Sequence, residues 1–65
     1  MNIKIHERRD YYGLSQRQLA KIIGISHAEM NFIETGKRIP NVYIAIRIAR
    51  ALEVSVEELF IEDGE

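Results

Sequence analysis

Gly24-Ile25-Ser26 is the tightest place in this sequence, because a helix stop and a helix start stand almost side by side there. Gly24 can take the positive φ that ends a helix at little steric cost. Ser26, with Glu29 three residues on, has the pattern of a capping box. Only Ile25 separates the two signals. Upstream, Ser15 and Gln18 repeat the box, and Leu19, Ala20, Ile22 and Ile23 follow as an apolar face at helical spacing. Downstream, Met30 and Ile33 face inward at i and i+3, and Gly36 offers a stop. Two short helices joined by so brief a turn cross steeply, and the rest of the chain has to pack around that crossing.

The crossing is helix-turn-helix geometry, in which the second helix of the pair can enter a major groove. Its outer face carries His27, Ala28, Asn31 and Phe32, at i, i+1, i+4 and i+5, opposite Met30 and Ile33. A basic pair, Lys37-Arg38, follows the stop at Gly36.

The flanking segments read as further short helices. Residues 2–12 form the first, capped by Asn2 and ended by Gly13, with Ile5, Arg9 and Tyr12 on one stripe. An arginine among apolar positions calls for a buried stem and an acidic partner, and Glu34 at the end of the third helix is the candidate. Tyr11 and Tyr12 read as core and rim packing. Pro40 breaks the chain before Asn41, which caps a fourth helix, Val42 to Leu52. Val42, Ala45, Ile46, Ala49 and Leu52 are its expected core stripe, with Ile44 and Ile48 as a second stripe beside Tyr43. A helix apolar on more than one face either is buried on two sides or joins a second copy. Glu53 stands where Gly or Asn would turn most easily. Ser55 and Glu58 then make a third capping box, and Val56, Leu59 and Phe60 face inward on a fifth helix. The expected fold is all-α, a compact bundle of about five short helices, with helices 2 and 3 as the helix-turn-helix. Residues 1–60 form one domain and 61–65 an acidic tail.

Composition narrows the function classes. With no cysteine and two isolated histidines, the 65 residues hold no thiolate or clustered metal site. No apolar run approaches the roughly 20 residues of a membrane span, and residues 1–5 do not resemble a signal peptide. A soluble cytoplasmic protein is the expectation. Catalysis finds no support: Ser15 and Ser26 have capping roles, and there is no Gly-rich phosphate loop. Charge is uneven. Residues 1–50 hold all nine Lys and Arg against four acids, whereas residues 51–65 hold six acids and no base. One face thus suits a polyanion and another turns away from it.

The combined pattern resembles the Cro and lambda-repressor-like helix-turn-helix domains, the xenobiotic-response-element type. It consists of Arg9, Gly13-Leu14-Ser15-Gln16, Leu19-Ala20, Gly24-Ile25-Ser26, Met30, Ile33-Glu34, Gly36-Lys37-Arg38 and Pro40. Ile48-Ala49, Ala51-Leu52, Val54-Ser55 and Glu58-Leu59-Phe60 complete it. The resemblance implies sequence-specific binding of double-stranded DNA by a homodimer, with the third helix in the major groove. It places His27, Ala28 and Phe32 against bases, as the helix face does, with Asn31 beside them. It places Gln16, Arg17, Thr35, Lys37 and Arg38 against phosphates, and Arg9 with Glu34 as a buried ion pair.

Departures from the family matter. Phe32 stands where Arg, Lys or Gln is common, Ala28 cannot hydrogen-bond a base edge, and Glu29 brings an acid near phosphates. The expected readout is His27 to a purine acceptor, Asn31 to adenine, and Ala28 or Phe32 against thymine methyls. The leading expectation is a prokaryotic or phage-encoded repressor, nucleoid-associated when bound, that occupies a two-fold-symmetric operator without cofactor or small-molecule ligand. Ile44, Ile48, Phe60 and Ile61 are the expected dimer surface. The alternative is an antitoxin-like protein-interaction module that uses the apolar face of the third helix.

Overall fold

Four of the five helices end by the same device. The computed structural model describes residues 2–60, and its helices are α1 (Ile3–Tyr12), α2 (Gln16–Ile23), α3 (His27–Thr35), α4 (Val42–Leu52) and α5 (Val56–Phe60). After α1 to α4, Gly13, Gly24, Gly36 and Glu53 each turn left-handed, with φ of 70°, 89°, 83° and 58°. The following N–H then bonds back into the last turn: Leu14 to Arg9, Ile25 to Ala20, Lys37 to Phe32 and Val54 to Ala49. This is the Schellman closure. Leu14, Ile25 and Val54 are aliphatic and pack on the core, so each closure also aims the next helix inward. Glu53 lacks glycine's freedom at its positive φ, and its carboxylate accepts the Tyr12 hydroxyl at 2.8 Å.

The starts are equally regular. Ser15 Oγ accepts from Gln18 N and Gln18 Oε1 from Ser15 N, a complete capping box. Ser55 and Glu58 form another. Ser26 caps Glu29 N at 3.0 Å, but the Glu29 side chain turns elsewhere, so the Ser26–Glu29 box is only half formed. Asn2 does more than cap α1. Its Oδ1 accepts from Lys4 and Ile5, its N–H donates to Glu34 O at 2.8 Å, and its Nδ2 donates to Leu59 O at 2.6 Å. The start of α1 is thereby tied to the ends of α3 and α5.

Every helix contributes to one core: Ile5, Leu19, Ala20, Ile23, Met30, Ile33, Ile48, Ala49, Leu52 and Leu59. Four expectations change. The inward stripe of α4 is Ala45, Ile48, Ala49 and Leu52, while Val42 and Ile46 face outward. Two apolar stripes on one helix leave its rotation open; packing against α1, α2 and α5 selects the side that carries Ile48. Ile48 is therefore fully buried and presents no surface to a second copy, and Ile44 and Phe60 are half-buried against the core. Ile61 lies outside the described residues. On α2, Leu19, Ala20 and Ile23 fill the interface, and Ile22 is exposed. Tyr11 is exposed rather than packed. The Arg8 guanidinium lies 4.8 Å from its ring centre and 5.4 Å from that of Tyr12.

One buried ion pair crosses the core. Arg9 and Glu34 are only 7% and 5% exposed. Arg9 Nε donates to Glu34 Oε2 at 2.8 Å and Nη2 to Oε1 at 3.0 Å, a bidentate geometry. Nη1 donates to Leu14 O at 3.0 Å, in the α1–α2 turn. Nη2 also meets His6 Nδ1 at 2.9 Å. A guanidinium only donates, so that ring nitrogen accepts, which leaves Nε2–H to face Asp10 at 3.2 Å.

Removing one member of such a pair strands the other. Arg9→Met should cost about 3–5 kcal/mol in urea unfolding. Arg9→Met with Glu34→Leu should recover most of that loss; equal losses in single and double variants would contradict the pairing. A second prediction concerns acid. The Ser55 N–H holds the Glu58 carboxyl below its ordinary value of 4.5. A lowered value gives stability that is present above 4.5 and lost as pH falls through the lowered value. Wild type should therefore lose more stability on acidification across that window than Glu58→Gln, as read by thermal melts monitored by circular dichroism.

Candidate nucleic-acid interface

The α2–α3 turn is short because Gly24 absorbs the reversal in a single residue. A Cβ there would be strained at φ 89°, and Arg47 Nη1 lies 3.9 Å from where it would stand. Arg47 Nη1 also donates to Ile23 O at 3.2 Å, which closes the end of α2 from the side of α4. With Met30, Ile33 and Glu34 buried, α3 presents its opposite side outward. His27, Ala28 and Asn31 are exposed there and Phe32 is half-buried.

Gln16 joins α2 to this face. Its Oε1 lies 2.8 Å from His27 Nε2, and its Nε2 donates to Asn31 Oδ1 at 3.4 Å. An amide oxygen accepts only, so His27 carries its proton on Nε2 toward Gln16. The base-facing candidates are thus braced from the start of the neighbouring helix. This brace joins residues 11 and 15 positions apart, a link that helical spacing within one element does not reveal.

A second cluster runs along α3 from Glu29 in its first turn to Phe32. Arg38 pairs with the Glu29 carboxylate and its guanidinium sits 5.2 Å from the Phe32 ring centre. Phe32 therefore has a cation on one face, and Arg38 is partly neutralised. The three residue types are plain in the sequence but their meeting is not, because the Gly36 turn brings Arg38 back over α3. Thr35 Oγ1 donates to Asn31 O at 2.9 Å and lies 3.3 Å from Phe32 O, so its hydroxyl proton is committed within the helix. Arg17 and Lys37 are exposed, and their side chains have no hydrogen bond or ion pair to other described residues. The face is thus a shallow apolar strip with a few amide and imidazole groups, flanked by cations.

Among the described residues no helix is long and apolar enough to cross a membrane, and no group of three potential metal ligands occurs. The helix-turn-helix family model matches residues 5–59. An uncharacterised HTH-type transcriptional regulator of Archaeoglobus fulgidus is 40% identical over 65 residues, which is all of this chain and 93% of the relative. Another of the same description, from Methanothermobacter thermautotrophicus, is 39% identical over 67 residues, covering 98% of this chain and 97% of the relative. A third, from Methanocaldococcus jannaschii, is 38% identical over 66 residues and covers both chains in full. With α2 and α3 crossing at Gly24 and the outer face of α3 open, the chain belongs to the helix-turn-helix family of DNA-binding transcription regulators, which is not an enzyme class.

Proposed function

We propose that this protein is a sequence-specific regulator of transcription that binds double-stranded DNA in the cytoplasm, as a two-fold dimer, and represses by occupying its operator. The observation that carries the reading is the open face of α3, braced by Gln16 and flanked by the free cations Arg17 and Lys37. In this reading α3 lies in the major groove. Asn31 reads adenine, while Ala28 and Phe32 contact thymine methyls. The Gln16 brace changes the role expected of His27. With Nε2–H given to Gln16, the atom left for a base is Nδ1, which in the neutral ring accepts from an exocyclic amine of adenine or cytosine.

Phosphate contacts supply most of the affinity. Arg17 and Lys37 are the strongest candidates for them, because neither is engaged within the described residues. Gln16 serves chiefly to position His27 and Asn31. Thr35 lies alongside, but its hydroxyl proton is already used. Arg38 reaches the backbone only in competition with Glu29.

Lys37→Ala with Arg38→Ala should weaken binding to any duplex the protein selects and lower the salt slope by about one for each phosphate no longer neutralised. Glu29→Gln should do the opposite, raising affinity and steepening the slope, since it frees Arg38 and removes an anion from the interface. A fall in affinity for Glu29→Gln would instead make Glu29 the group that positions Arg38. The half-buried Phe32 favours the second reading, an antitoxin-like protein contact. That reading predicts partner binding that survives the Lys37/Arg38 change and fails in Phe32→Ala.

A further inference from the structure

Four exposed large apolar residues cluster in one segment, Ile39, Val42, Tyr43 and Ile46, which are 90%, 61%, 73% and 37% exposed. On α4, Val42, Ile46 and Arg50 recur at i, i+4 and i+8, with Tyr43 beside them. All lie away from the inward stripe of Ala45, Ile48, Ala49 and Leu52. This is a continuous stripe about two turns long and not a scatter of single residues.

The aromatic rings supply a second observation. Tyr11 and Tyr12 have Arg8 on their rings, and Phe32 has Arg38. Tyr43 is the one remaining exposed aromatic among the described residues, and no cation from those residues lies on its ring. Arg50 is exposed on the same stripe, and its guanidinium has no hydrogen bond, ion pair or ring contact among the described residues. Within one copy the two do not meet, since seven residues of rise set them about 10.5 Å apart along the helix.

We propose that this stripe is the contact between two copies of the chain, with α4 crossing its mate antiparallel about Ile46, so that Arg50 of each copy lies on the Tyr43 ring of the other. In a two-fold antiparallel pair, residue numbers facing one another have a constant sum. Setting 43 opposite 50 puts 46 and 47 at the axis and makes the cation–π contact occur twice. Ile46 meets the mate at the centre, and Val42 and Ile39 extend the apolar cover outward. Arg47 is turned to one side, held by Ile23 O, so like charges do not meet on the axis. The four apolar side chains expose roughly 400–500 Å² per copy, close to the 1,000 Å² total at which specific dimers begin, so the dimer is weak and reversible. This contact gives the dimer of the regulator reading its surface and rests on that reading for its purpose, but its test needs no DNA.

The chain has no cysteine, so an introduced thiol is the sole one present. Ile46→Cys should oxidise to a disulfide-linked dimer at micromolar concentration, whereas Tyr11→Cys, on an exposed site of α1, should not. In sedimentation without DNA, Tyr43→Lys and Arg50→Glu should each weaken the dimer by about tenfold or more. Tyr43→Lys with Arg50→Glu should restore it to within about threefold, because lysine and glutamate then face one another across the axis. A wild-type monomer at high concentration, equal cross-linking at both cysteine sites, or no rescue in the double variant would overturn the proposal. A wild-type monomer that still selects one duplex sequence would sink this dimer and leave DNA binding intact. A dimer with the expected rescue but no affinity for DNA would do the reverse.

Discussion

The Arg9–Glu34 pair is the interaction on which the placement of α3, the helix proposed to face DNA, depends. Its bidentate bonds join the middle of α1 to the last turn of α3, and the same guanidinium holds the α1–α2 turn through Leu14 O. Asn2 adds a bond to the carbonyl of Glu34 itself. Three segments thus converge on one buried carboxylate and its backbone. A small apolar core tolerates small rotations of its helices, but a satisfied buried charge pair does not. Met30 and Ile33 then need only fill space, while Glu34 sets which way α3 faces.

What α3 presents is modest in donors. Ala28 and Phe32 offer shape and apolar contact, and His27 and Asn31 offer polar groups that Gln16 already orients. A bonded brace costs the face some freedom and reduces the entropy lost when a groove closes on it. The Glu29–Arg38–Phe32 cluster works in the other direction. It holds the Arg38 guanidinium against the Phe32 ring and the Glu29 carboxylate, so in the proposed complex Arg38 reaches a phosphate only by leaving Glu29. In the proposed complex, base readout and phosphate contact thus both depend on residues whose partners lie outside α3.

Much of the fold was legible in the sequence because its signals are local. Gly24 followed by Ile25-Ser26, the Ser-x-x-Gln and Ser-x-x-Glu boxes, and Pro40-Asn41 each act through backbone geometry within a few residues. Even Glu53, an unfavourable residue for its role, was identifiable by position alone. The rotation of α4 was not legible. Its sequence is apolar on two stripes, and only the arrangement of α1, α2 and α5 decides between them. Ile48 and Ile46 consequently exchange places, the first entering the core and the second facing outward. At the candidate site, the outward face of α3 followed from periodicity, whereas the Gln16 brace and the return of Arg38 over Phe32 did not. Both depend on how a turn folds back, which no pattern within a single helix encodes.

That α3 reads duplex DNA is the central claim, and selection from a random duplex pool with a salt titration on the winners tests it most directly. The expected result is enrichment of a two-fold-symmetric site with half-sites about one helical turn apart, and binding that weakens steeply as salt rises. No enrichment, with weak and salt-insensitive binding, would contradict it and leave the apolar face of α3 as a surface for another protein.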